Sequence, residues 1–324
     1  MAQGITRNQH WIPQFYLKYF CDSKEKLCVY RRENDSFFRI SPNHVCSKRD
    51  LYEVDHRVFS AGHEKHLFAQ NTIERLLSEA EARIAPIYSC LIDCCNKNVT
   101  TGKEYYDGKL AACALVANLL TRHPLSLSKE RKDAPQRMQE WMSNYELTQE
   151  EIKLLDEVDW YEDYEALTEL AIMAVLLFSK DKRVPQRKMF EAFSKKKMTI
   201  LKAPKFYSFI TTSLPIMIIG PENTDYHFDF AFFPLSSGYA ALFSDDGPGV
   251  RSNDSDGRQL AHWNQWLLWN GLYNREIIPL NCYWTTFWNR LLLLNCASWD
   301  IAMSSTLAPL ERAVNEWGLS NQSE

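Results

Sequence analysis

Strand-like runs lie near both ends of this chain, and a long helical stretch lies between them. The β-rich runs Leu27–Arg32 and Ser36–Ile40, separated by three polar residues, predict a hairpin. From about residue 64 to residue 195 apolar residues recur at helical spacing, and after Met198 they alternate again. We therefore predict one α+β domain over residues 1–324. Its small mixed or antiparallel sheet comes from N-terminal and C-terminal strands, and its helical insertion covers about 64–195.

The same two periods predict the individual elements. Further strands are predicted at Asp50–Val54, Met198–Leu201, Phe206–Thr211, Ile216–Ile219, Tyr226–Phe233 and Tyr239–Phe243. Helices are predicted from about residue 64 to Leu91 with a kink or break at Pro86, and at Tyr106–Thr121, Leu127–Tyr145, Ala166–Phe178, Arg258–Leu272, Tyr283–Leu294 and Leu307–Trp317. Aromatic residues of Tyr226–Phe233 alternate with His227 and Asp229, so a strand there places the two kinds of side chain on opposite faces.

Composition narrows the class of protein. A formal charge of −4 argues against a basic protein that coats nucleic acid. The longest apolar run, Leu170–Phe178, is well short of the roughly 18 residues that span a membrane. The segment Met1–Asn8 has no apolar signal sequence, so we expect a cytoplasmic protein without a membrane partner. The nine cysteines have no disulfide-like spacing and are expected to be free thiols in a reducing compartment.

The segment Asn8–Phe20 concentrates polar and aromatic side chains, with one imidazole, three carboxamides and five aromatic rings. In a helix, His10 and Gln14 share a face, and the Gln14 amide orients the imidazole for acid–base chemistry. Pro13 permits a helix only if it lies in the first turn, so an extended segment is equally compatible. The alternative to catalysis is a histidine whose hydrogen bonds fasten the N-terminal arm to the body of the protein.

Asn8–Phe20 reads NQHWIPQFYLKYF and resembles the opening of the bacterial "domain of unknown function 4238" family, N/K-Q-H-x-x-P-Q-F-Y-L-x-x-F. Phe209–Ile216 is similar to the F-I-T-S-D-N-P-V segment of that family, and Phe233–Ser236 is similar to its F-P-L-S segment. Ser213 and Leu214 stand where the family pattern has Asp and Asn. If that Asp serves catalysis or metal binding in relatives, this protein has lost it or moved it. The resemblance implies no established activity.

His227 and Asp229 form a second candidate pair. On a strand they lie on one face about 7 Å apart, where a histidine and a carboxylate suit catalysis or metal binding. The alternative is the solvent-facing side of a half-buried sheet. The predicted catalytic set is therefore His10, Gln14, His227 and Asp229. A divalent metal is compatible with this set, and no metal ligands are assigned.

Charge is segregated on the two sides of the predicted helix Ala166–Phe178. Residues 146–170 hold ten acidic side chains, and residues 180–205 hold ten basic ones. We predict that the basic part binds an RNA or DNA backbone, with nearby phenylalanines stacking on bases. The assigned residues are Arg187, Lys188, Lys195, Lys196 and Lys197. The alternative is a solvated helix face that balances the acidic stretch, and residues 146–205 are then a candidate surface for a protein partner.

Two classes of function fit these residues. The first is a hydrolase acting on nucleic acid, metal-dependent or by acid–base catalysis, in the role of a bacterial effector such as a toxin or a phage-defence component. The second is a non-catalytic module that binds protein or nucleic acid, in which Asn8–Phe20 is a structural clasp. Arg122 and His123 end an apolar helix, where a structural cap is expected and phosphate binding is the alternative. No G-x-G-x-x-G, P-loop, G-x-S-x-G, H-E-x-x-H or kinase motif occurs.

Overall fold

The computed structural model describes residues 7–52, 72–129, 132, 185–220, 227–250, 257–295 and 300–320. Helices alternate with short strands in small sheets, so the predicted α+β class is confirmed. The predicted helix Ala166–Phe178 and the acidic stretch 146–170 lie outside the described residues. The single domain with a helical insertion stays a prediction. No helix in the described ranges is long and apolar enough to cross a membrane.

The first sheet joins the two ends of the chain. Its antiparallel strands are β2 (Leu27–Arg31), β3 (Ser36–Ile40), β6 (Thr211–Thr212) and β11 (Ile301–Ser304), in the order β3–β2–β11–β6. The hairpin of β2 and β3 is the predicted one, and β11 pairs with β2 along its other edge. The sheet is therefore built from N-terminal and C-terminal strands, as predicted.

The second sheet uses C-terminal strands alone. Its members are β5 (Lys197–Lys202), β7 (Met217–Ile219), β8 (Phe230–Pro234), β9 (Tyr239–Ser244) and β10 (Ile277–Pro279), in the order β10–β5–β9–β8–β7. Only the β10–β5 pair is parallel. A separate ribbon pairs β1 (Asn8–His10) with β4 (Ser47–Arg49) in antiparallel fashion.

Both faces of the second sheet are buried. All five residues of β8 are buried, which is typical of an apolar strand that is covered on two sides. Phe232 stacks on Trp288 at 5.1 Å between ring centroids, and Phe233 stacks on Tyr16 at 5.4 Å on the opposite face. The central strand is thus fixed by the N-terminal arm on one side and by a C-terminal helix on the other.

Three described helices come from the middle of the chain. They are α2 (Thr72–Asn96), α3 (Lys103–Arg122) and α4 (Pro185–Lys195), and α3 packs against the other two. A Cβ at Gly108 of α3 would lie 2.7 Å from the Cβ of Leu91 on α2, so glycine permits this close approach. The charged end of α3 lies beside α2 and beside the N-terminal segment.

The helix boundaries agree in part with the predictions. α2 continues past Pro86, so the proline does not divide this helix. After His123 the chain is helical again at 124–129, and the rest of the predicted helix Leu127–Tyr145 lies outside the described residues apart from residue 132. The C-terminal helices match the three predicted ones. They are α5 (Gly257–Trp269), α6 (Cys282–Asn295) and α7 (Leu307–Ser320).

The prediction of a strand at Asp50–Val54 is wrong for its described part. The strand lies earlier, at Ser47–Arg49, and Leu51 and Tyr52 are in a turn. Asp50 has a φ of 51°, a left-handed conformation that ends a β-strand. The turn stabilises the fold, because it places Tyr52 in contact with the N-terminal segment.

Two other strands are shorter than predicted. In Phe206–Thr211 the N–H of Phe209 donates to Ser237 O at 2.8 Å, and that of Ile210 donates to the Asn289 side chain at 3.1 Å. These groups therefore bond outside a strand ladder. In Tyr226–Phe233 the strand begins only at Phe230. Three strands have no counterpart in the predictions, namely β1, β10 and β11.

Candidate functional site

The N-terminal segment combines a strand, a turn and a short helix. His10 ends β1, and α1 (Gln14–Leu17) begins directly after Pro13, whose carbonyl accepts the first helical hydrogen bonds. A 3-10 turn at Lys18–Phe20 follows. The segment is neither a continuous helix nor fully extended, because proline is compatible with the start of a helix and not with its interior.

The three segments that carry the family resemblance meet around Tyr16. Its hydroxyl donates to Pro234 O at 2.8 Å and lies 2.9 Å from Thr211 Oγ1, which is therefore the donor in that second bond. The indole N–H of Trp11 donates to Ser213 O at 3.0 Å. Burial raises the pKa of Tyr16, so the phenol keeps its proton. These contacts are structural and explain most of the aromatic content of the segment.

The polar residues at the start of the segment are bound to the turn before α2. Gln9 is fully buried, and its side-chain oxygen accepts the Tyr52 N–H at 2.6 Å. The Tyr52 hydroxyl donates to the carbonyl of His10 at 3.2 Å. The same carbonyl accepts a hydrogen bond from Arg122. The backbone of His10 is thus fastened, and its imidazole is left for other contacts.

Arg122 is a buried cation at the end of α3. Its side chain is 2% exposed and donates to Glu81 at 2.6 Å, to Asn118 at 3.0 Å and to the Tyr52 hydroxyl at 3.0 Å. Burial opposes its charge, but Tyr52 and Glu81 outweigh this effect and raise its pKa. The guanidinium is therefore charged and saturated with acceptors. Of the two predicted roles, these contacts fit the structural one.

A pocket of about 350 Å³ opens beside this ion pair. We name it the His10 pocket, and its lining residues are His10, Gln14, Phe15, Glu74, Ser78, Glu81, Ala82, Ala85 and Arg122. The imidazole Nε2 lies 3.2 Å from Asn43 O. Because a carbonyl only accepts, Nε2 carries the proton in the neutral ring and Nδ1 is the acceptor nitrogen. Desolvation, together with the charge of Arg122, lowers the pKa of His10.

The structure brings together half of the predicted catalytic set. Gln14 lines the His10 pocket together with His10, although the two residues belong to different elements. His227 and Asp229 do not line it and are exposed residues of the loop before β8. The N-terminal segment contacts the second sheet at Pro234 of β8. Asp229 lies five residues earlier in the chain, and five residues of extended chain span about 16 Å.

The expected arrangement of His227 and Asp229 on a strand face is wrong. They precede β8, and β8 is buried on both faces, so the second sheet provides no solvent-facing side there. The loop is bound to β7 by the Asp229 N–H, which donates to Ile219 O at 2.8 Å beside Gly220. A Cβ at Gly220, where φ is +155°, would lie 2.6 Å from the Asp229 nitrogen.

The predicted basic residues fall into exposed, ion-paired and buried ones in the structure. Lys188 and Lys195 of α4 and Lys197 of β5 are exposed. Arg187 forms a partly exposed pair with Glu191 at 2.9 Å. Lys196 is buried and donates to Phe228 O and to an Asp245 oxygen, both at 2.7 Å, and it is therefore removed from the basic face. Phe193 is also buried, so it cannot stack on a base.

Sequence reasoning missed the acidic side of the His10 pocket. Glu74, Ser78, Glu81 and Ala85 recur at helical spacing and form one face of α2. Arg122 at the end of a helix gave no signal of this pairing, because the helix dipole alone accounts for a cation there. Within the described ranges there is no group of three or more His, Cys, Asp or Glu side chains that could hold a metal ion.

The comparisons with known proteins give a family. The model of a protein family of unknown function, DUF4238, matches residues 8–306. The chain belongs to the DUF4238 family. The match includes all three segments that meet around Tyr16, and it extends through β11. No curated protein and no solved structure matches the chain.

One departure from the DUF4238 pattern lies at a structural junction. Ser213 stands at the position of the Asp in that pattern and is buried. Its Oγ accepts the Asp300 N–H at 3.1 Å, and its carbonyl accepts the Trp11 indole N–H. Ser213 therefore has a structural role in this fold.

Proposed function

We propose that this DUF4238 protein is a hydrolase directed at nucleic acid, with His10 as its acid–base group. The observation that carries the proposal is the His10 pocket, where the imidazole and the Gln14 carboxamide adjoin the ion pair of a partly exposed Glu81 with the buried Arg122. A pocket of about 350 Å³ with convergent polar groups and a histidine of lowered pKa is a typical candidate for an active site.

The neutral imidazole supports a role as general base. Its Nε2 proton is bound to Asn43 O, which fixes the ring and leaves Nδ1 to take a proton from water. The water oxygen then bonds to phosphorus while the bond between phosphorus and the leaving oxygen breaks. The leaving oxygen takes the proton from the imidazolium, so charge and atoms balance. Gln14 is placed to orient the water or the scissile phosphate.

The His10 pocket alone does not attract a polyanion, because Glu74 and Glu81 line it and the Arg122 charge is already paired. Exposed basic side chains elsewhere support the nucleic-acid part of the proposal. They are Lys188, Lys195 and Lys197, and the partly exposed Arg187, which is paired with Glu191, lies on the same helix as the first two. We propose that His227 and Asp229 contact the nucleic acid separately, outside the His10 pocket.

A bacterial effector, such as a toxin or a phage-defence component acting in the cytoplasm, is the proposed biological role. The eight cysteines in the described part of the chain are free thiols, which supports a reducing compartment. Burial raises the pKa of Cys95 to about 12 and that of Cys113 to about 12, so neither is a reactive thiolate at neutral pH.

The proposal is tested by incubating the purified protein with labelled single-stranded and duplex RNA and DNA, with Mg²⁺, with Mn²⁺ and with chelator. His10→Ala and His227→Ala are measured beside the wild type, and each variant is checked for folding by circular dichroism. We expect cleavage by the wild type and by His227→Ala, and loss of cleavage in folded His10→Ala. Equal cleavage by His10→Ala would contradict the assignment of His10.

A non-catalytic binding module is the second candidate, and the clasp around the N-terminal segment favours it. Gln9, Trp11 and Tyr16 are buried and hydrogen-bonded to the body of the protein, so the segment has a sufficient structural reason to exist. If every substrate stays intact under every condition, this module becomes the better reading. Its partner surface then includes the exposed basic residues of α4 or the predicted protein-binding stretch 146–205, of which 146–184 lie outside the described residues.

A further inference from the structure

A second pocket, of about 390 Å³, lies between the loop after β5 and the two last helices of the chain. We name it the Arg312 pocket. Tyr207 comes from the loop, Tyr283 and Arg290 come from α6, and Arg312 comes from α7. Cys282 at the start of α6 completes the part of its wall that is used below. None of these residues belongs to the His10 pocket.

The Arg312 pocket is positively charged. Arg290 and Arg312 both line it, and none of the described residues that line it carries a carboxylate. The Arg312 guanidinium lies 4.5 Å from the centroid of the Tyr207 ring, which fixes the planar group at the wall. Planar guanidinium groups with parallel N–H donors bind phosphate with good geometry. An anion with a phosphate is therefore the chemical class that fits.

Aromatic rings are exposed at the same place. Tyr283 is 60% exposed at the start of α6, and its ring packs edge-on against Trp284 at 5.0 Å. Phe206, directly before Tyr207, is 86% exposed with a φ of 70°. A bulky residue rarely adopts this left-handed conformation, and it displays the ring to solvent under Lys205. Exposed rings beside cationic groups are the surface on which nucleic-acid bases stack.

We propose that the Arg312 pocket binds one nucleotide unit, with the phosphate on Arg312 and the base stacked on Tyr283. The proposal rests on the proposed function in one respect, because it names the place where the nucleic-acid substrate of that function is held. The binding itself does not depend on cleavage at His10. The nucleotide unit is either part of a single strand or a free mononucleotide, and the experiment below separates these sources.

Binding is measured by fluorescence anisotropy with a fluorescein-labelled oligodeoxythymidylate of about 12 nucleotides. Arg312→Gln is expected to weaken binding about tenfold and to reduce the salt slope by about 0.7. Tyr283→Ser is expected to weaken binding about 5- to 150-fold, the range found for loss of one stacked base. Arg83→Gln, which removes an exposed arginine of α2 that lines neither pocket, is the charge-matched control and is expected to bind like the wild type.

Competition separates the two sources of the nucleotide. If unlabelled AMP displaces the labelled strand at a concentration near that of the unlabelled strand, the pocket takes a mononucleotide. If AMP displaces it only weakly while the unlabelled strand competes fully, the pocket takes a strand. Displacement of the labelled strand by inorganic phosphate with the same strength as by AMP would overturn the stacking part of the proposal. Loss of binding only in Lys188→Gln and Lys195→Gln, with Arg312→Gln unaffected, would overturn the site.

Two of the described cysteines are exposed and give a local readout. Cys282 lies in the pocket wall, and Cys90 lies on α2 outside both pockets. Alkylation by iodoacetamide is followed by mass spectrometry with and without saturating oligonucleotide. We expect slower alkylation of Cys282 and an unchanged rate at Cys90. Equal rates at Cys282 with and without bound strand would overturn the site, whereas failure of cleavage alone leaves this protection in place and counts against His10 only.

Discussion

The His10 pocket and the Arg312 pocket are similar in size and opposite in electrostatic character. In the His10 pocket the one arginine is buried and fully occupied by Glu81, Tyr52 and Asn118. In the Arg312 pocket two arginines face a wall without carboxylates among the described residues. A saturated cation stabilises the fold and orients neighbours, whereas a cation at the wall of a pocket attracts an anionic ligand. On the basis of this difference we propose proton transfer in the first pocket and phosphate binding in the second.

The largest effect that sharpens this comparison is expected for Arg122→Ala. Removal of the guanidinium leaves Glu81 without its donor and removes one of the two donors to the His10 carbonyl. Because Glu81 is partly exposed, we expect a loss of about 3 kcal/mol of unfolding free energy, the lower end of the range for a fully buried pair. Urea unfolding measures the loss. Arg83→Ala is the control, and a change within about 0.5 kcal/mol is expected there. Equal effects of the two variants would show that the Arg122 network does not support the pocket.

Tyr16→Phe tests the clasp at its centre. The change removes one oxygen and leaves Pro234 O and Thr211 Oγ1 without their partner, so we expect a loss of about 1–3 kcal/mol. Tyr106→Phe, in which the hydroxyl of a 58% exposed ring is removed, is the matched control and should be close to neutral. A neutral Tyr16→Phe would mean that the three family segments do not depend on this junction.

The pH dependence of stability tests the burial of His10. Burial lowers the pKa of His10 and that of His123 below their ordinary 6.5 in the folded protein. The unfolded state therefore binds protons more readily, and the stability contributed above pH 6.5 is lost as pH falls through the folded pKa values. Between about pH 7.5 and about pH 5.5 the free energy of unfolding should fall for the wild type and fall less for His10→Gln. Parallel curves would show that His10 is not desolvated.

The smallest effect is expected in the Arg312 pocket. Arg312→Gln removes a contact between a guanidinium and the Tyr207 ring at an incompletely buried site, which is worth about 0.5–1 kcal/mol. Thermal unfolding should therefore change little while oligonucleotide binding weakens. A loss comparable with that of Arg122→Ala would contradict the contrast between a structural and a binding cation.

Local patterns were sufficient for much of the fold. The hairpin of β2 and β3 and the helices α3, α5, α6 and α7 follow from periodicity that each segment carries by itself. The strands β1, β10 and β11 were missed because each has three or four residues and is defined by its partner in the sheet. The loop at His227 and Asp229 alternates like a strand, but it is bound to β7 only by the Asp229 N–H beside Gly220 among the backbone bonds of the described residues.

The two sites depend on contacts between residues that are distant in the sequence, and the sequence does not show which residues meet. His10 and Gln14 were predicted from five residues of one motif, and both line the same pocket. Glu81 and Arg122 are 41 residues apart and meet only because α2 and α3 pack together. The Arg312 pocket joins α6, α7 and a distant loop, and the residues of that loop, at Phe206 and Tyr207, were read as a strand. The sequence shows which residues are charged, but it does not show which of them form ion pairs.

The most direct test of the central claim is one comparison, the cleavage rate of labelled RNA and DNA by wild type and by His10→Gln at matched stability. Glutamine places an N–H near the position of Nε2, so the bond to Asn43 O and the clasp are retained while the acid–base group is removed. The proposal predicts an unchanged melting temperature and a rate at least about 100-fold lower. Equal rates for the two proteins, or intact substrate with both, would contradict it.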